Sequence, residues 1–304
     1  MLLSSDPALA RAELDARLRT LLPPDYQDTY ERIQPKPMRS AGLKFAPDGS
    51  VAWDEIWGSF CDLAMAGGPP HKGRLLAPAT GAAPDVGSAT QLDAVVAEVR
   101  RGIEMVTSMP CDPAPTPGWV RVECYSAPMA GWLLRAITME NVAARADGMY
   151  LDLPVSPGFR LEKEIKNVIT VIAKTSHYWL EHMPLGQQRA IADLFARLER
   201  MSPLVAPAWP VTAAEVADCL RTAAVLAQHV RTLTGLETVA SLHPGWLGVQ
   251  CPDVPSAVWM TRALVCLNVL SRREETTLFV PVNAASDPEA ARTWSAVGQI
   301  ARLM

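Results

Sequence analysis

The chain has 304 residues, of which 49% are hydrophobic and 20% are charged, and its formal net charge is -4. This composition is typical of a globular protein with enough length for one large domain or two ordinary ones, and it excludes a disordered chain. Because the small net charge provides no basic field, we expect neither nucleic acid nor an anionic membrane as a partner.

The first predicted element is an N-terminal helix. Ser5, Asp6 and Pro7 form a helix-start pattern, and leucines then share one face until Pro23 and Pro24 stop the helix. Charged residues interrupt this stretch, so it lacks the apolar region of a signal peptide, and no later run approaches the roughly 20 apolar residues of a membrane span. We therefore expect a cytoplasmic protein whose six cysteines are reduced thiols.

The dominant feature of the chain is an internal repeat. The segments 117–155 and 244–282 match without a gap at sixteen of thirty-nine positions, far more than composition alone would give. Such self-similarity is the mark of duplicated architecture. The matched pairs include Trp119/Trp246, Trp132/Trp259, Cys124/Cys251, Arg135/Arg262, Asn141/Asn268 and Arg145/Arg272, and for the tryptophans the recurrence favours a packing role.

Each copy is predicted to run helix, strand, helix, strand. The apolar spacing gives helices over 91–107, from 128, over 213–233 and over 255–272, and strands over 119–125, 149–155, 246–250 and 277–282. A strand, a helix and a strand form a right-handed crossover, so we expect strands 119–125 and 149–155 to be parallel.

A long amphipathic helix from Leu161 to Met183 is predicted to link the copies, and a final helix begins near Ser286. The predicted fold class is therefore α/β, with two tandem α-β-α-β repeats related by a pseudo-twofold axis. The expected domains are an N-terminal helical segment (1–49), repeat 1 (50–155), the linking helix (156–183) and repeat 2 with the C-terminal helix (184–304).

The repeated cysteines, Cys124 and Cys251, each lie at the carboxyl end of a predicted strand, just before a helix N-terminus. Open α/β sheets bind ligands beyond the carboxyl ends of their strands, and a thiol at a helix N-terminus would be unusually reactive. In that hypothesis His71 or His177 serves as the base. The favoured alternative is packing, because free cysteine is among the most buried residue types.

Arginines kept in both copies point to an anion. A guanidinium fork matches two oxygens of a carboxylate or phosphate, so Arg135 and Arg262 would clamp an anionic ligand where the repeats meet. The structural alternative packs the arginine stems on tryptophan and uses the repeated asparagine and the second arginine to end the helix. Helical spacing favours this alternative, and both interpretations stay open.

A third candidate is the segment GGPPHKG, which contains Gly67, Gly68, His71 and Lys72 and has no counterpart in the second copy. Glycine and proline set unusual backbone angles, and histidine and lysine supply titratable and cationic groups. The segment is neither a Walker A loop nor GxGxxG. It is interpreted either as part of a ligand site or as a stiff turn with an exposed histidine.

The linking helix carries Lys174, His177 and Glu181 on one polar side, whereas His182 is expected to point elsewhere. The helix lacks both HExxH and HxxEH, so no metal site is predicted. A solvated polar face is the favoured interpretation, and Lys174 is kept as a candidate ligand contact.

These features predict a cytoplasmic protein that binds a small anionic molecule at the junction of its repeats. One alternative is an enzyme with a cysteine nucleophile and a histidine base. Another is a structural subunit that buries tryptophan-rich faces against a protein partner or a second copy of the chain. The sequence identifies no cofactor and does not decide whether the protein is an enzyme.

Overall fold

The structure is a computed structural model that describes residues 3–27, 42–56, 73–79 and 86–304. The chain divides into two compact units. The central unit spans Arg32–Pro184, and the terminal unit combines Met1–Glu31 with Leu185–Met304. Within the four described ranges, none of the helices combines the length and apolarity that crossing a membrane requires.

The terminal unit begins with helix α1 (Pro7–Leu21) and the short helix α2 (Pro24–Gln27). Asp6 caps α1, because its Oδ1 accepts hydrogen bonds from the backbone N–H groups of Ala8 at 2.8 Å and Leu9 at 3.3 Å. Leucines on one face of α1 are buried. The N-terminal helix expected from the sequence is therefore present.

The central unit is a four-stranded sheet with helices packed on it. Its elements are α3 (Val86–Thr107), β1 (Cys111–Pro113), β2 (Trp119–Glu123), α4 (Ala127–Met139), β3 (Arg145–Asp147), β4 (Tyr150–Pro154) and α5 (Lys166–His177). Helix α5 is extended at each end by a π-helical turn, at Leu161–Ile165 and at Tyr178–His182. The core-facing residues of β2, Val120 and Val122, are completely buried.

The rest of the terminal unit follows the same plan. Its elements are α6 (Leu185–Met201), α7 (Ala213–Thr234), β5 (Thr238–Ala240), β6 (Trp246–Gln250), α8 (Val254–Cys266), β7 (Arg272–Glu274), β8 (Thr277–Pro281) and α9 (Ala291–Ala301). A capping box between Thr212 and Glu215 starts α7, and Gly235, with φ 71°, ends it. Helix α1 packs against α8 and α6 of this unit.

Both sheets are antiparallel, with strand orders β1-β2-β4-β3 and β5-β6-β8-β7. The expectation of parallel strands is therefore wrong. A short strand and a tight turn reverse the chain before β4 and before β8, so each helix is followed by a hairpin. The turns place Gly148 at φ 58° and Glu275 at φ 49°, in the left-handed region.

The two units are similar sheet–helix halves within a mixed α/β fold. Helices α3 and α7 both have 22 residues, and α4 and α8 both have 13. From α3 to β4 each element has its counterpart at the same spacing in α7 to β8. The prediction that the last of these helices continues to Arg272 is wrong, because the chain turns left-handed at Asn268, where φ is 63°.

The repeated asparagines have a structural role at this turn. Asn141, with φ 60°, donates from Nδ2 to the Gly73 carbonyl at 3.1 Å. Asn268 donates from Nδ2 to the Ser202 carbonyl at 2.9 Å. Each asparagine therefore ends a helix and holds the segment that precedes the 22-residue helix of its unit. An amide side chain suits this role because it tolerates left-handed backbone and supplies a donor.

Candidate functional site

Four of the predicted site residues, Gly67, Gly68, His71 and Lys72, lie outside the residues that the structure describes. The interpretation of the GGPPHKG segment therefore stays a prediction. The remaining candidates, Cys124, Arg135, Lys174, His177 and Arg262, are all described.

The repeated cysteines face the cores of their units. Cys124 is 1% exposed and Cys251 is 3% exposed. Burial raises the pKa of Cys124 to about 12 and that of Cys251 to about 11. Although α4 begins at Ala127, desolvation of the Cys124 thiol outweighs any stabilisation of a thiolate by the helix end. The environment of both thiols therefore favours the packing interpretation.

The helix arginines lie in different units. Arg135 on α4 is 6% exposed, and its Nη1 donates to the carbonyl of Gly131 at 2.7 Å. Arg262 on α8 is half-buried in the terminal unit. An arginine that bonds the preceding turn of its own helix has part of its donor capacity committed to the fold.

The second repeated arginine is part of a repeated arginine–tryptophan stack. The guanidinium of Arg145 lies 4.5 Å from the ring centre of Trp119, and that of Arg272 lies 5.2 Å from the ring centre of Trp246. Both distances are within the range of cation–π attraction. These arginines begin β3 and β7, so the expectation that they finish a helix is wrong.

Lys174 is buried, contrary to the solvated polar face expected from the sequence. Its side chain is 10% exposed, and its Nζ pairs with Oε1 of Glu140, which is 13% exposed. Burial raises the pKa of Glu140, and the charge of Lys174 opposes this rise. Lys174 therefore lies in a buried ion pair between α5 and the C-terminal end of α4.

The expectation that His182 points away from His177 is also wrong. An α-helix separates side chains five residues apart by about 140° around its axis. A π-helical turn has i to i+5 hydrogen bonds, and the turn at Tyr178–His182 brings the two rings side by side. Their Nε2 atoms are 3.2 Å apart. Nδ1 of His177 lies 3.1 Å from Oε1 of Glu181.

A further polar cluster lies on the sheet of the central unit, on the face opposite Val120 and Val122. Arg121 of β2 donates from Nε and Nη2 to Asp152 of β4, at 2.7 and 3.0 Å. Arg145 of β3 donates from Nε to the same carboxylate at 2.8 Å. We call Arg121, Arg145 and Asp152 the arginine pair site.

The carboxylate of this site is buried, and the two arginines reach solvent. The side chain of Asp152 is 3% exposed, whereas those of Arg121 and Arg145 are 27% and 31% exposed. The hydrogen bonds to Asp152 raise the pKa of Arg121. The guanidinium of Arg121 also lies 5.2 Å from the ring centre of Tyr150. One carboxylate and two aromatic rings thus hold both cations in place.

The corresponding place in the terminal unit is different. Gly248 pairs with Phe279 there, in the register in which Arg121 pairs with Asp152. Arg272 is 1% exposed, lies 3.9 Å from the ring centre of Phe279, and donates to Glu274 at 2.6 Å. Burial lowers the pKa of Arg272 to about 10. This arginine is part of a core and is not available to a ligand.

Sequence reasoning missed Arg121 and Asp152 because it selected positions that the two copies share. Both residues occupy positions where the copies differ. The signal that would have found them is the alternation of β2, in which Arg121 lies between two buried valines, combined with antiparallel pairing to β4.

Comparison with known proteins does not identify a family. No protein-family model matches the chain, and neither the curated proteins nor the solved structures include a significant match. Across the described ranges, no group of three or more His, Cys, Asp or Glu side chains forms a candidate metal site.

Proposed function

We propose that this protein binds a small anionic molecule at the arginine pair site, and that its two units descend from one duplicated ancestor. The equal spacing of the corresponding elements supports the duplication. The pseudo-twofold axis expected from the sequence stays a prediction. The observation that carries the binding proposal is a difference between the units.

The terminal unit forms the same sheet without an arginine or an aspartate at the positions of Arg121 and Asp152. Gly248 and Phe279 replace them, and the strand order and register are unchanged. The fold therefore does not require the polar pair. Burying a carboxylate costs free energy. Because the same sheet forms with phenylalanine at this position, the fold alone does not explain why the central unit has an aspartate there. A ligand that binds to the two arginines would explain why the carboxylate that positions them is present.

The geometry suits an oxyanion. Asp152 engages both donors on one edge of Arg121, whereas it engages only Nε of Arg145. Among the described residues, Nη1 and Nη2 of Arg145 have no hydrogen-bond partner. A guanidinium in this state can donate two parallel hydrogen bonds to a carboxylate or a phosphate. Stacking on Trp119 fixes the plane of the group, so little side-chain entropy is lost on binding.

The net charge of the site limits the charge of the ligand. Two arginines around one aspartate leave one excess positive charge, and Asp147 on β3 also interacts with Arg121 and offsets part of that charge. A site with so little net charge favours a ligand with one or two negative charges. It does not favour nucleic acid, whose binding depends on many phosphate contacts.

The alternative of a cysteine nucleophile has less support from the geometry. A thiol with a pKa of about 12, as at Cys124, is a thiolate in about one molecule in 100,000 at pH 7. Nucleophilic catalysis needs the thiolate, which enzymes obtain by lowering this pKa. The environments of Cys124 and Cys251 do the reverse.

The test is ligand-induced stabilisation of the purified full chain, with inorganic phosphate and succinate as probes. A ligand at 100 times its dissociation constant raises the free energy of unfolding by about 2.7 kcal/mol, which thermal unfolding detects as a higher Tm. Isothermal titration calorimetry then measures the affinity. We expect at least one probe to raise the Tm of the wild type and to have no such effect on Arg145→Gln.

The matched control is Arg160→Gln, which removes an arginine of the same unit whose side chain is 65% exposed and paired with Glu164. Because general salt effects on stability act on every variant, only a response that Arg145→Gln loses and Arg160→Gln keeps supports the site. Equal stabilisation of all three proteins would refute the proposal, as would a wild type that responds to neither probe.

A further inference from the structure

The two histidines at the C-terminal end of α5 form an arrangement that the arginine pair site does not use. His177 and His182 meet because a π-helical turn replaces an α-helical one at Tyr178–His182. Their ring centres are 4.9 Å apart, and the rings meet edge to face. The π-helix is rare in proteins.

The separation of the ring nitrogens matches that of two ligands of one metal ion. Imidazole nitrogens bind Zn²⁺ at about 2.0–2.1 Å. Two such bonds to nitrogens 3.2 Å apart enclose an angle of about 100° at the ion, between the octahedral and tetrahedral angles. The Nε2 atoms of His177 and His182 therefore already have the required spacing.

The carboxylate of Glu181 favours the tautomer of His177 that a metal ion requires. Oε1 of Glu181 lies 3.1 Å from Nδ1 of His177, so the proton of His177 belongs on Nδ1 and the lone pair on Nε2. A carboxylate that accepts this proton is the usual outer partner of a metal-bound histidine. Binding an ion also requires His182 to carry its proton on Nδ1, which a change of tautomer provides without net proton release.

We infer that His177 and His182 bind one transition-metal ion of the Zn²⁺, Ni²⁺ or Cu²⁺ class through their Nε2 atoms, with Glu181 orienting His177. Imidazole ligands select these ions over Mg²⁺ and Ca²⁺, which prefer oxygen. The nearby cation, Lys174, is paired with Glu140, so its repulsion of the ion is partly compensated.

Two protein ligands leave the other coordination positions to water. Because no larger cluster of ligating side chains occurs in the described ranges, the ion is held by fewer ligands than a structural zinc, which has four. We therefore expect an exchangeable site. His177 is 18% exposed and Glu181 is 67% exposed, so solvent reaches the turn.

The experiment is titration of the untagged, metal-free full chain with Zn²⁺ by isothermal calorimetry, and with Co²⁺ by visible absorption. An added polyhistidine tag would bind the same ions and must be absent. We expect one Zn²⁺ per chain with micromolar affinity, and a Co²⁺ spectrum with nitrogen ligation. His177→Ala and His182→Ala each weaken binding at least tenfold.

The matched control is His229→Ala, because His229 lies in the terminal unit, stacked on Trp294 with ring centres 4.8 Å apart. This variant should bind Zn²⁺ like the wild type. If circular dichroism shows that His182→Ala is unfolded, His182→Gln provides the same test with a polar side chain of similar size. A wild type without micromolar binding, or binding that both histidine variants retain, would overturn the inference.

Discussion

The buried ion pair between Lys174 and Glu140 permits a quantitative test, because the terminal unit has an apolar residue at the position of Glu140. The counterpart of Glu140, at the end of α8, is Leu267, which is completely buried. We therefore consider Glu140→Leu, Lys174→Met and the double variant. Replacing one member leaves a buried charge without its partner, whereas replacing both leaves an apolar contact.

The expected cost differs between the single variants because a carboxyl can protonate. Leaving a buried charge uncompensated costs about 3–5 kcal/mol, and this range applies to Glu140→Leu. In Lys174→Met, Glu140 can become neutral by binding a proton, so no uncompensated charge stays buried. Starting from its ordinary pKa of 4.5, protonation at pH 7 costs about 3.4 kcal/mol, which is the upper limit for that variant. The double variant should lie within about 1 kcal/mol of the wild type.

The sign of the pH dependence separates the two single variants. Burial raises the pKa of Glu140 in the folded protein, and losing Lys174 raises it further. The folded protein therefore binds this proton more tightly than the unfolded chain does. The resulting contribution to the free energy of unfolding is complete below pH 4.5 and is lost as the pH rises. The deficit of Lys174→Met should therefore shrink by up to about 2.7 kcal/mol between pH 7 and pH 5. Acid should not restore Glu140→Leu, because it keeps Lys174 charged.

The measurement is urea unfolding at pH 5 and pH 7, followed by tryptophan fluorescence and circular dichroism. Lys163→Met is the matched control, since Lys163 is 62% exposed and lies 3.7 Å from Glu164. We expect it to change stability by less than about 0.5 kcal/mol. The reasoning is wrong if Lys174→Met has the same deficit at both pH values, or if the double variant loses as much as the two single variants together.

Two further predictions concern the thiols and the hairpin turns. Because their raised pKa values leave little thiolate, Cys124 and Cys251 should resist iodoacetamide at pH 7 until the protein unfolds, and rapid labelling of the folded chain would contradict their burial. Glu275→Gly should raise the free energy of unfolding by about 0.5–1 kcal/mol, because glycine adopts φ 49° without strain. Gly148→Ala, at the matching turn, should lower it by a similar amount, and a loss of stability in Glu275→Gly would contradict this explanation.

Long periodic segments could be predicted from the sequence, and short ones could not. The strand expected over 246–250 and the start of α7 at residue 213 agree with the structure. The three-residue strands β1, β3, β5 and β7 are too short to show alternation. Missing β3 and β7 also caused the wrong strand direction, because the hairpin that each begins makes the pairing antiparallel.

The site was harder to predict than the fold, for a physical reason. Identity between copies reports shared packing, as with the stack of Arg145 on Trp119 and the turn at Asn141. Arg121 and Asp152 occupy positions where the two copies differ, so a comparison of the copies does not select them. The meeting of His177 and His182 was hidden because helical spacing was assumed to be 3.6 residues per turn throughout.

The path of the chain has a consequence for its synthesis on the ribosome. Helix α1 is made before its partners in the terminal unit: Arg17 donates to the carbonyl of Cys266 at 3.3 Å, and Arg11 stacks on Trp259 with its guanidinium 4.7 Å from the ring centre. At 5–20 residues per second, the partners of α1 emerge roughly 10–50 s later. Until these partners are made, the leucines of α1 stay exposed, while the central unit, which is made in between, can already fold. Exposed apolar side chains on α1 are therefore open to chaperone capture and aggregation during that interval.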